Sequence, residues 1–431
     1  MEIFIKETML CFIMNKIELK AIIIDQNKRK QEENLADRDL FDKLESYIKN
    51  DLIIIISGVR RCGKSTLLSQ IRKKHPGYYI NFDDERLINF KVEDFQILEE
   101  LFIELYGEKK IFYFDEIQNI PIWERFVRRL HDERKKVFIT GSNASMLSRE
   151  LGTHLTGRYL GLELFPFSFK EFLNLKNVEL NKNSLYLKAE RAKIKTYFEN
   201  YFLKGGFPEY LKELNPDYLK TLYENILYRD ILVRYKITNE RALKELVYLS
   251  VNCISKEISF NSIKKTLGFG SSTTVKDYFD YLENSFLIFL VPKFDYSLKK
   301  QVYHNKKVYC IDHILAKFLG FRFTPDNGKI LENIVFIELK RRNKEIYYFV
   351  DKKECDFVVK GQTTKISEAI QICFELNREN KKREIEGLTA AMNEFKLKEG
   401  LILTYDQEDE LSEGKKKIIV KPVWKWLLED K

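Results

Sequence analysis

The chain has 431 residues, which at roughly 150 residues per domain predicts about three domains. Apolar residues make up 44% and charged residues 32%, so each domain can bury a core and a disordered chain is excluded. The net charge of +9, from 74 basic and 65 acidic residues, permits contact with nucleic acid without arguing for it.

The N-terminal stretch MEIFIKETMLCFIMNK is apolar in places, but Lys6 and Glu7 interrupt it and no small-residue cleavage site follows. No signal peptide is expected, and residues 1–36 read as an N-terminal extension. The longest apolar runs, such as Ile53 to Ile56, are strand-sized, far short of the ~20 residues that span a bilayer. Six cysteines and five histidines are scattered without a CxxC pair, so neither a disulfide framework nor a zinc site is suggested. The reduced cytoplasm is the expected compartment.

The first informative segment is DLIIIISGVRRCGKSTLLSQI, residues 51–71. Leu52 to Ile56 form the β-branched run of a strand buried on both faces. Gly58-Val59-Arg60-Arg61-Cys62-Gly63-Lys64-Ser65-Thr66 then fits the phosphate-binding loop GxxxxGK[ST], and Leu67, Leu68 and Ile71 follow at helical spacing. Glycines let backbone N–H groups close around phosphates, and the following helix adds its positive dipole end. Lys64 is expected on the β and γ phosphates and Ser65 on Mg²⁺. Arg60 and Arg61 have three candidate partners: phosphate, another protein, or the Asp83-Asp84-Glu85 cluster.

Lys110-Ile-Phe-Tyr-Phe-Asp115-Glu116 is an apolar strand ending in two carboxylates. Asp115 at the strand tip suits Mg²⁺ coordination, and Glu116 suits polarising a water for attack on the γ-phosphate. A third strand, Lys136 to Thr140, leads into Gly141-Ser142-Asn143, where either Ser142 or Asn143 can sense the γ-phosphate or cap a helix from Ala144. Arg158, before the apolar stretch Leu160 to Phe167, has two readings: a structural ion pair, or stabilisation of transition-state charge in cis or in a neighbouring copy.

From Phe169 to about Arg241 the pattern is helical, broken at Gly205-Gly206. Tyr228 to Tyr235 reads as an amphipathic helix whose Arg229 and Arg234 lie on a solvated face or act as lid arginines. Helix, turn, helix and strand over 258–294 follow the order of a winged helix. Its second helix offers Lys276 against Asp277, Asp280 and Glu283, a net acidic face that argues for packing over DNA reading. Strand and helix alternate from about 302, with Glu332 on a helix over Lys329 to Arg342 and Asp356 on a strand.

GVRRCGKST, Asn81-Phe-Asp-Asp-Glu-Arg86-Leu, YFDEIQNI, ITGSNASML and TGRYLGLELFPFSFKEF together resemble the AAA+-like P-loop ATPases of archaea and bacteria. Those proteins carry a winged-helix module and a C-terminal domain related to PD-(D/E)XK nucleases. The resemblance implies an α/β fold with an additional-strand P-loop core over 37–170, a helical and winged-helix region over 171–300 and a nuclease-like domain over 301–431. It also implies that Asp115 and Glu116 fill the Walker B roles. A working nuclease needs two acids and a lysine two residues past the second. Here Glu332 and Asp356 stand for acids, while Gln371 and Cys373 replace the last acid and the lysine, and Glu368 is three residues from Gln371 and off its face. A fold with weak or absent cleavage is expected. With 25 basic against 22 acidic residues in this domain, no strong phosphate field is present.

These residues predict an ATPase using ATP and Mg²⁺, with nucleotide state coupled to domain rearrangement. An ATP-gated DNA nuclease and a slow nucleotide switch for a protein partner are the alternatives. The partners expected are ATP and ADP, with double-stranded DNA, an unidentified protein and further copies of the chain left open and no membrane.

Overall fold

In the computed structural model the described residues are 14–28, 36–143, 155, 157–180, 184–320, 326–361 and 365–429. The chain divides into two compact units, 1–58 with 63–164, and 59–62 with 165–431.

In the first unit the run of isoleucines makes β1 (Ile53–Ser57), buried at every position. With β2 (Tyr78–Asn81), β3 (Ile111–Asp115), β4 (Lys136–Gly141) and β5 (Tyr159–Glu163) it forms a sheet of order β2-β3-β4-β1-β5, parallel throughout. Since β4 stands between β1 and β3, the strand of the phosphate loop and the strand of the two acids are not neighbours. This is the expected additional-strand P-loop core. Helices α1 (Lys16–Lys28), α2 (Leu40–Ser46), α3 (Lys64–Lys74), α4 (Phe95–Tyr106) and α5 (Trp123–Asp132) belong to this unit. Leu19, Ile22 and Ile23 of α1 pack into the same core as Ile53, Phe112 and Phe114. Gln26 of α1 holds both Asn81 backbone groups beside β2. The segment read as an extension therefore supplies a layer of the core, because burying three aliphatic side chains is worth several kcal/mol.

The second unit begins with α6 (Phe169–Leu175), started by a capping box in which Ser168 and Glu171 exchange hydrogen bonds. α7 (Lys188–Lys204) stops at Gly205, where φ is 71°. α8 (Pro208–Glu213) and α9 (Pro216–Asn225) follow, and α9 runs straight into a π-helical stretch, Ile226–Val233. Then come α10 (Glu240–Asn252), β6 (Glu257–Ile258), α11 (Phe260–Leu267), α12 (Ser272–Asn284), β7 (Ile288–Pro292), α13 (Leu298–Tyr303) and β8 (Lys306–Cys310). The three strands form an antiparallel sheet of order β6-β8-β7. β8, within the stretch from about 302 where strand and helix were expected to alternate, thus pairs backwards, with β7.

After α14 (His313–Leu319) and α15 (Asn327–Arg341) come β9 (Glu345–Val350), β10 (Glu354–Lys360), β11 (Ile366–Cys373), α16 (Lys381–Glu394), β12 (Glu399–Thr404), β13 (Asp409–Glu413), β14 (Lys416–Pro422) and α17 (Val423–Trp426). The sheet order is β13-β14-β12-β11-β10-β9, with β11, β12 and β14 parallel and the other pairs antiparallel. α16 lies so close to β10 that a Cβ at Gly387 would stand 2.1 Å from the Glu354 carbonyl oxygen. Only glycine fits there.

Candidate nucleotide site

The registers bring the sequence motifs to one edge of the first sheet. Ser57 pairs with Gly141, and Asn81 with Asp115, so β1, β3 and β4 all end on the same side. Gly58 follows β1, and Gly63 caps α3 at φ 99°, a left-handed conformation that favours glycine. Lys64 begins α3 and is buried; its ammonium donates to the Gly58 carbonyl at 3.1 Å and stands 3.4 Å from Glu116 Oε1. Ser65 is exposed beside it, and Thr66 is half-buried.

Asp115 is completely buried at the tip of β3. The Thr140 hydroxyl on β4 donates to one of its oxygens, Tyr79 donates to the other at 3.2 Å, and Ser65 also bonds the carboxylate. Burial, foremost, and the neighbouring charge of Glu116 push the Asp115 pKa up, against the opposing pull of Thr140, Ser65 and Lys64. A buried carboxylate short of positive charge, joined to a serine hydroxyl, is a donor pair that suits Mg²⁺. The residues fit the ion.

Glu116 adopts φ 52°, uncommon for a residue with a Cβ. Its N–H donates to Thr140 Oγ1 at 3.0 Å, and Gln118 donates to its carboxylate at 2.5 Å. The left-handed turn directs Glu116 away from Asp115, toward Lys64. Thr140, Tyr79 and Gln118 were not singled out in the sequence, since nothing in their spacing marks them; strand register alone brings the first two to Asp115.

Ser142 and Asn143 follow β4 directly and are both buried at this edge. The helix expected from Ala144 lies outside the described residues. Arg158 is elsewhere. Its carbonyl accepts from Ile53 N–H at 2.9 Å, at the opposite end of β1 from Gly58. Five strand residues at roughly 3.3 Å each separate the two ends by on the order of 15 Å. Its guanidinium lies 3.9 Å from Asp132. Arg158 therefore stands away from its own phosphate loop.

Val59–Cys62 group with the second unit. Val59 and Cys62 are buried, and Arg61 takes φ 64°. Arg60 makes a two-pronged bond to buried Asp230, both contacts 3.0 Å. Asp230 sits in the π-helical stretch, where the extra residue per turn swings it inward, while Arg229 stays exposed. The amphipathic helix expected there is reshaped around this pair.

A second cluster lies in the second unit. Glu332 of α15 and Asp356 of β10 are brought together by Lys307 of β8. A bulge in β10 between Cys355 and Val358 aims Asp356 at the cluster. Gln371 lies beside it, whereas Glu368 pairs with Lys344 at 3.1 Å and stays outside. Burial first, and then the Asp356 charge, push the Glu332 pKa up to about 8, with Lys307 opposing. Lys307 has no motif around it and is 25 residues from Glu332 and 49 from Asp356, so no sequence signal announced it.

A family model described as an AAA domain matches residues 50–173, and one described as a domain of unknown function (DUF8612) matches 195–325. The uncharacterized protein MJ1544 of Methanocaldococcus jannaschii is 36% identical over 438 residues, 96% of each chain. An uncharacterized protein of Haemophilus influenzae is 31% identical, covering 79% of this chain and 87% of its own. The crystal structure of Cdc6p from Pyrobaculum aerophilum aligns with 68% of this chain and 96% of its own at 12% identity and a TM-score of 0.26. At 36% identity over nearly the whole of both chains, the chain belongs to the family of the Methanocaldococcus protein, and its phosphate loop, additional-strand sheet and AAA-domain match agree on a P-loop core over its N-terminal part.

Proposed function

We propose that the protein is a Mg²⁺-dependent ATPase in which Glu116 activates the attacking water. The observation that carries this reading is the left-handed turn at Glu116, which separates two adjacent carboxylates into two roles. Such a conformation costs about 1 kcal/mol and is held by the Thr140 and Gln118 hydrogen bonds. The backbone of Gly58 to Thr66 cradles the phosphates, and the buried Lys64 ammonium meets the β and γ oxygens, leaving Glu116 for that task. Glu116 then accepts a proton from water lined up with the γ-phosphate. Ser65 and Asp115 would hold Mg²⁺, which when bound draws negative charge from the phosphate oxygens. Ser142 or Asn143 senses the γ-phosphate from the end of β4. An arginine finger comes from another copy of the chain.

The helix, strand, two helices, strand, short helix and strand from α10 to β8 support a winged-helix reading of the middle. α15, the three strands β9 to β11 and then α16 and β12 support a nuclease-like reading of the C-terminal domain, silent in cleavage. Hydrolysis then drives rearrangement between core and middle. The direct test is steady-state ATP hydrolysis with Mg²⁺: turnover by the wild type, lost at least 100-fold in Lys64→Ala, is expected. Equal turnover in both proteins would contradict the assignment.

A further inference from the structure

Lys307 is the most enclosed cation of the second unit's carboxylate cluster, with its side chain 1% exposed. An ammonium has three N–H donors. Those of Lys307 meet Glu332 at 3.1 Å, Asp356 at 2.9 Å and, in a third contact, Glu354. The oxygens that would face a metal are also used elsewhere. Glu332 Oε1 accepts from the Tyr309 hydroxyl at 2.6 Å, and Asp356 Oδ2 accepts from the Ile372 N–H at 2.9 Å. Gln371 spans the floor, taking the Asp356 N–H at 3.3 Å and donating to Glu384 at 2.7 Å.

We propose that the ammonium of Lys307 is the permanent cation of the Glu332–Asp356 pair, so that this domain holds no divalent metal there and cleaves no phosphodiester. A divalent ion bonded to the same oxygens at about 2.1 Å would lie against a like charge that has no alternative shell of water. A phosphodiester must also reach the metal, yet the Glu332 and Asp356 side chains are only 10% and 9% exposed. The pair therefore serves as a clasp. Lys307 comes from the three-stranded sheet, Glu332 from α15 and Asp356 from the six-stranded sheet, and one ammonium ties all three together. The proposal deepens the reading of a silent nuclease-like domain and rests on it for the choice of acids.

The experiment is a Mn²⁺ titration of the full chain without nucleotide, counting bound ions by electron paramagnetic resonance. Wild type and Asp356→Asn are expected to bind the same number of ions. Lys307→Met is expected to gain one site, which Asp356→Asn removes again in the double variant. A wild-type site that disappears in Asp356→Asn overturns the proposal while leaving the silent reading intact. A folded Lys307→Met that gains no site overturns it too. If Lys307→Met does not fold, the comparison of wild type with Asp356→Asn decides alone. Plasmid nicking by the wild type that is lost in Asp356→Asn would overturn both the proposal and the silent reading.

Discussion

Glu283 shows how much one side chain's direction changes its chemistry. The acidic face of α12 was read with Glu283 on or near solvent beside Asp277 and Asp280, yet the carboxylate turns inward and accepts the Leu290 N–H at 2.9 Å. Burial, with Asp280 adding, pushes its pKa up to about 7 from 4.5; the Leu290 bond, Lys340 and Lys306 oppose the shift. A raised folded-state pKa means the native state holds the proton more tightly. Its stabilising contribution is complete below about pH 4.5 and is lost as pH rises through about 7. Denaturant unfolding of Glu283→Gln, whose amide oxygen keeps the Leu290 bond, is expected to show a flatter pH dependence. At pH 8 the variant should be more stable than the wild type by roughly 1–3 kcal/mol. Parallel curves from pH 5 to 8 would contradict this. Helical spacing placed Glu283 on the helix but not the strand N–H that follows it, and that donor is what turned the side chain.

At the scale of elements, the phosphate loop and its flanking strand and helix were legible because the motif and both periodicities agreed over twenty residues. The Asp-Glu strand was legible for the same reason. The stretch at Ile226–Val233 was not, because a π-helix has no period distinct enough to show in eight residues. Its cause is tertiary: Asp230 is drawn inward by Arg60, 170 residues earlier. Asp230→Ala takes its carboxylate partner from a largely buried guanidinium and is expected to cost about 3 kcal/mol. Arg60→Ala should cost a similar amount, and the double variant clearly less than the sum, with a coupling of at least ~1.5 kcal/mol in thermal or denaturant unfolding. Strict additivity would mean the pair is incidental. The Lys307 clasp was equally invisible. Degenerate Gln371 and Cys373 announced the loss of one lysine, but nothing announced that another, from a different sheet, stands between the acids.

At the scale of the whole molecule, the alternation of strands and helices predicted an α/β fold, and that reading holds because hydrophobic periodicity is local. The strand order β2-β3-β4-β1-β5 is not local; it came from resemblance and was then found in the pairing registers. Strand β13 escaped notice since a short, charged, exposed strand alternates too weakly to stand out, whereas β14 does alternate, with Ile418 and Val420 buried in the core. No helix among the described residues is long and apolar enough to cross a membrane. The central claim is that Glu116 is the base of an ATPase, and Glu116→Gln tests it most directly, by ATP binding and single-turnover hydrolysis on the same protein. Binding within about threefold of wild type with hydrolysis slowed at least 100-fold is the predicted result, in line with the loss of a positioned general base. Hydrolysis at the wild-type rate in Glu116→Gln would contradict it.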